Sequence, residues 1–149
     1  MDPVSALGVA AAAVQFVDFG SRLLSNTLET YKNATGQSTR NMELSVISQD
    51  LVLLATEVET LLGKMEEPRP GSAAEKLKSL CHGCKSVNAE LQTILEKLQA
   101  KGSSKLDLAK NSFVSAVKGV VSAGKLKVLE GQMETIREGM TLPTLLSLW

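Results

Sequence analysis

Residues 47–65 read ISQDLVLLATEVETLLGKM. Ile47, Leu51, Leu54, Val58, Leu61 and Met65 step 4, 3, 4, 3, 4 along this stretch. That spacing keeps the apolar side chains on one stripe of an α-helix. It predicts a helix packed at a shallow angle against neighbours.

The pattern repeats downstream. Glu67–Ser72 reads Glu-Pro-Arg-Pro-Gly-Ser, a turn. Ser72-Ala73-Ala74-Glu75 follows as a capping box, in which Ser and Glu each satisfy the other's free amide. Leu77, Leu80, Cys84, Val87, Leu91, Ile94 and Leu98 then form a second seam, which Lys101-Gly102 closes as a C-terminal cap would. Ser104-Lys105-Leu106-Asp107 is an acidic variant of the box. It predicts a helix with the seam Leu106, Ala109, Phe113, Val117 and Val120. Gly119 and Gly124 predict a break near 119–124, after which Ser122 caps a piece with the seam Leu126, Leu129, Met133, Ile136 and Met140. Pro143 should end or kink that piece.

Composition agrees. The chain has 149 residues and 15.9 kDa, the size of one domain. It is 44% hydrophobic with only five aromatic residues, so Leu, Val and Ala supply the apolar mass. Such a chain needs no disulfide or metal to fold. The expected fold is all-α: an up-down bundle of four to five helices, one domain over 1–149, with a buried apolar N-terminal helix.

That first helix breaks the amphipathic rule. At 100° per residue, Leu7, Ala11 and Val14 fall on one side, and Val9, Phe16, Phe19 and Leu23 on the other. Only Gln15 and Asp18 interrupt the apolar surface before Ser21-Arg22, and beyond them Leu24, Leu28 and Tyr31 turn inward. A helix apolar nearly all round is either enclosed by its neighbours or finds another apolar medium. The longest uncharged apolar run, Val4–Val17, has 14 residues against the ~20 that a spanning helix needs. The acidic start Met1-Asp2-Pro3 does not fit a secretory signal. The expected address is the cytosol, with reduced cysteines.

The 16 basic and 16 acidic residues cancel, which excludes a generally basic nucleic-acid binder. The charge is uneven all the same: Lys101, Lys105, Lys110, Lys118, Lys125 and Lys127 face only Asp107 within 101–127. Two readings stand for this stretch, a contact with anionic lipid or an acidic partner, and a solvated helix face. Only Phe113 interleaves the lysines, so no stacking platform for nucleic acid is present.

Cys81-His82-Gly83-Cys84 is the one chemical-looking cluster. It offers at most three adjacent ligands, where a structural zinc needs four. Both cysteines fall near the helical seam and read as small core residues, with a regulatory disulfide or an adventitious metal as the alternatives. No phosphate loop, dinucleotide fingerprint or HExxH is present, so neither enzymatic activity nor a cofactor is expected.

The opening MDPVSALGVAAAAVQFVDFGSRLLS (1–25), SQDLVLLATEVE (48–59) and SFVSAVKGVVSAGKLKVLEGQMETIREGM (112–140) resemble the HeLo-like domains. These are N-terminal domains of fungal STAND proteins, the counterparts of NOD-like receptors. The resemblance implies an effector of programmed cell death and heterokaryon incompatibility. It implies a C-terminal NACHT or NB-ARC module, or an amyloid signalling segment, as a further partner. Oligomerisation with copies of itself would move the domain from the cytoplasm to the plasma membrane, where the N-terminal helix acts on lipid. Val4, Leu7, Val9, Val14, Phe16, Val17, Phe19 and Leu23 would be its apolar anchors. The alternative is a homotypic adaptor with no direct membrane action. Val121 stands where many relatives have tryptophan and Ala123 where lysine is common, which weakens the interfacial features of the last helices.

Overall fold

A computed structural model describes residues 3–24, 31–32, 38–39, 41–65, 67, 69–102, 105–107 and 116–140. Among them are four α-helices: α1 (Pro3–Leu23), α2 (Leu44–Gly63), α3 (Ala73–Ala100) and α4 (Ala123–Gly139). Side-chain links fix their directions. Ser48 meets Gln92 and Glu59 meets Lys85, so α2 runs against α3. Lys125 meets Glu90, and a methyl at Gly139 would touch Leu80, so α4 also runs against α3. A methyl at Gly20 would touch Met133, and Asp18 shares a hollow with Arg137, so α1 runs against α4. The arrangement is the up-down bundle that the spacing predicts.

The local signals explain most helix ends. Ser72 Oγ accepts from Glu75 N at 3.2 Å, as the capping box requires. The Glu75 carboxylate closes the turn one residue earlier than expected, on Gly71 N. Gly71 and Gly102 have φ of +77° and +82°, the left-handed conformation that glycine adopts at no steric cost. Ser122 caps α4 by accepting from Lys125 N. The seams also hold: Ile47, Leu51, Leu54 and Val58 are buried on α2, Leu77, Cys84, Val87, Leu91, Ile94 and Leu98 on α3, and Leu126, Leu129, Met133 and Ile136 on α4. Leu61, Met65 and Leu80 pack at the edge of the core, half-buried. No polar side chain is buried among the described residues. The seam between α2 and α3 takes its register from a partly buried amide: Gln92 accepts from Ser48 Oγ and donates to Ser48 O at 3.2 Å.

Two expectations need correction. The helix predicted from Ser104 does not start there: Lys105–Asp107 is a short strand, β4, paired antiparallel with β3 (Asn41–Glu43). Met42 lies opposite Leu106, and the backbone groups that a capping box would use belong to a ladder. Of the predicted seam, Val117 is buried in helical backbone over 116–117 and Val120 is half-buried in the turn over 118–120, whereas Ala109 and Phe113 lie outside the described residues. The first helix is also shorter than its pattern. It stops at Leu23, and Tyr31–Lys32 (β1) pairs with Ser38–Thr39 (β2).

Leu91 is fully buried where α1 and α3 meet, and Leu53 is 58% exposed on α2. Leu91→Ala is expected to lower the unfolding free energy by ~3 kcal/mol through the cavity it leaves. Leu53→Ala should change it by less than about 0.5 kcal/mol. Urea titrations of both variants check the pair.

Candidate functional site

Helix α1 is the centre of the functional reading. It packs against α2, α3 and α4. Val9, Ala10, Ala12, Ala13, Phe16, Val17, Phe19, Leu23 and Leu24 are buried. Leu7 is half-buried, and Ala11, Val14 (44% exposed), Gln15, Asp18 and Arg22 lie outward. The two apolar sides seen in the sequence thus separate: the bulky aromatic one forms the core, and Leu7, Ala11 and Val14 line a narrow outer stripe. The shelter is an arc of about half the helix and not a full sleeve. Val4 lies within α1, but its side chain is outside the described residues.

Two contacts with Met133 and one ion pair within the helix mark the C-terminal half of α1. A Cβ at Gly20 would sit 2.9 Å from Met133 Sδ, so glycine sets how closely α4 approaches. Ser21 Oγ donates to the same sulfur at 3.9 Å. Asp18 and Arg22 pair at 3.3 Å across one turn, both exposed. Such a pair is worth only a few tenths of a kcal/mol. Beside them Val14, Val17, Asp18, Arg137 and Met140 line a hollow of about 470 Å³ between α1 and α4.

The lysines do not join this helix tip. Lys101, Lys118, Lys125 and Lys127 gather where α3 ends and α4 begins. Because α1 runs alongside α3, that is the far end from Pro3, ~30 Å away along a 21-residue helix. Lys101 Nζ donates to Gly119 O at 2.6 Å, and Lys125 pairs with Glu90 at 3.0 Å. Lys118 and Lys127 are exposed. Lys105 contributes its backbone to β4, and Lys110 lies outside the described residues.

The Cys81–Cys84 stretch points in three directions. Both thiols are 1% exposed, His82 is exposed, and Gly83 faces Ile136 of α4, whose Cδ1 would lie 3.3 Å from an added methyl. No group of three metal-ligating side chains occurs among the described residues. Burial pushes the Cys81 thiol up to about 11. Burial, with the neighbouring Cys81 adding to it, pushes Cys84 up to about 12. Both stay protonated at neutral pH and are poor nucleophiles. His82 shares a hollow of about 410 Å³ with Lys78 and Lys85, whose charges are met by Glu67 at 3.4 Å and Glu59 at 3.3 Å.

Comparison with protein-family models, curated proteins and solved structures gives no match. The close contacts at Gly20, Gly83 and Gly139 were not foreseen from the residues. The available signal was glycine inside helices, which costs up to ~1 kcal/mol each and so marks places where backbones approach.

Two outcomes check this description. Gly20→Val forces Met133 aside and should cost ~1–3 kcal/mol, read from thermal unfolding. Thiols whose folded pKa lies above the unfolded value of 9.0 contribute stability that is complete below pH 9. It is lost as pH rises towards about 11 and about 12. The urea midpoint should be flat from pH 6 to 8 and fall above 9, less steeply in Cys84→Ala.

Proposed function

We propose that this chain is a non-catalytic cell-death effector domain of a fungal innate-immunity or incompatibility pathway. On oligomerisation it delivers α1 to a membrane and permeabilises it. The resemblance of 1–25, 48–59 and 112–140 to HeLo-like domains supports the reading, and so does one structural observation. No charged residue occurs between Pro3 and Val17, and α1 with the residue that follows it places six large side chains, Val9, Phe16, Val17, Phe19, Leu23 and Leu24, in the core.

The magnitudes decide what release would require. Burying each such side chain is worth ~1.5–3 kcal/mol, on the order of 10 kcal/mol together. A whole domain is stable by only ~5–15 kcal/mol. Helix α1 therefore cannot leave the bundle for water. It can leave only for another apolar medium, lipid or further copies of itself. No described helix is long and apolar enough to cross a membrane. The helix would lie in the interface with its aromatic arc in the acyl region. The resemblance supplies the rest of the proposal: protein waiting in the cytoplasm and acting at the plasma membrane, with a downstream NACHT or NB-ARC module or an amyloid signalling segment driving oligomerisation.

Deleting α1 would destroy the core, so the test must lock it instead. Asp18 and Arg137 line one hollow. With Asp18→Cys and Arg137→Cys, a cleavable bifunctional thiol reagent joins α1 to α4 while the buried native thiols stay unmodified. On forced oligomerisation, unlocked protein should leak anionic liposomes. Locked protein should not, and reduction of the link should restore leakage. Equal leakage by locked and unlocked protein would sink the mechanism. Stable oligomers that never co-sediment with liposomes would favour the adaptor.

A further inference from the structure

Helix α4 turns Leu126, Leu129, Met133 and Ile136 into the core. Its opposite face carries Lys127, Val128, Gly131, Glu134, Thr135 and Glu138, all exposed, and Glu134 also meets Arg137 at 3.6 Å within the helix. Val128 is 60% exposed, more than any other exposed large apolar side chain described. With Gly131 and Thr135 it borders a groove of about 580 Å³ between α3 and α4, whose other walls include Ser79, Leu80 and Ser86 and no charged residue. A Cβ at Gly131 would meet nothing within 4 Å, so the face is open there.

The charges on this face have an order. At 100° and 1.5 Å per residue, Lys127 and Glu134 lie on one flank of Gly131, at ~6 Å before it and ~4.5 Å beyond it along the axis. Val128 and Thr135 lie on the other flank at matching heights. A twofold axis through Gly131, perpendicular to the helix, exchanges before and beyond and keeps each flank on its own side. It sets Lys127 against Glu134 of a second copy, twice, and Val128 against Thr135, twice. Parallel pairing exchanges the flanks and keeps the heights, which sets Lys127 against Val128 and Glu134 against Thr135 and leaves both charges unmatched. Two glycines would meet at the axis, where the backbones must come nearest.

We propose that two copies of this chain pair antiparallel through the outer face of α4, with Gly131 on the twofold axis. The surface is isologous and closes on itself. Its charge pattern fits another copy in one direction only, which is how charge confers register more than affinity. The surface shares no residue with α1, which stays buried in the pair. Failure of the pairing therefore leaves the membrane reading intact, and the reverse also holds.

Sedimentation equilibrium of the full chain over a range of concentrations tests it. Wild type should show a monomer–dimer equilibrium that weakens with salt. Lys127→Glu sets two glutamates against each other at both symmetric contacts and should weaken the dimer about tenfold. Glu134→Lys should do the same, and the double variant K127E/E134K should restore it. Gly131→Arg should abolish pairing. It raises helix propensity, so the loss cannot come from unfolding, and a melting curve verifies this. A chain monomeric at every concentration would overturn the proposal. So would a dimer indifferent to Gly131→Arg, or a double variant that fails to recover.

Discussion

Burial of one arc of α1 is the constraint on which the bundle rests. Phe16 and Leu23 are among the largest fully buried side chains, and α2, α3 and α4 all pack against the helix that carries them. No polar side chain is buried among the described residues, so the interior offers little directional bonding. Packing shape has to do that work. Glycine lets α4 come close at Gly20 and Gly139, and the Gln92 amide sets how α2 sits on α3. An interior of this kind is strong in sum and weakly tied at any one point.

Much of this fold is legible in the sequence because its signals are local. A serine that caps a helix acts on an amide three residues away, so Ser72 and Ser122 could be read directly. Seams such as Ile47–Val58 need only the 3.6-residue period. Residues 105–107 were misread for the opposite reason. Their box is correct in composition, but their partners are Asn41–Glu43, far away in the chain, and non-local pairing overrides a local preference. Tyr31 continued the helical pattern and entered a ladder in the same way.

The candidate site was legible in part. The two apolar sides of α1 were apparent, but which one would face out was not. Phe16 and Phe19 have more surface to hide than Ala11 and Val14, and the bulkier side took the interior. Charge counting grouped Lys101 to Lys127 with no sense of place. The antiparallel course of the helices sets Lys101, Lys118, Lys125 and Lys127 at the end opposite the tip of α1, with Lys101 and Lys125 already engaged. A flat anionic surface cannot meet both ends of an upright bundle at once.

The pairing of Asn41–Glu43 with Lys105–Asp107 has a further consequence. The two strands flank the stretch that contains α2, its turn and all of α3, and they fasten it at the base. That hairpin is clasped by its own backbone, whereas α1 and α4 are attached from either side of the clasp. If the outer helices part, the clasped pair keeps its hydrogen-bonded foot, and the way back to the assembled state is a docking step and not a search through chain conformations.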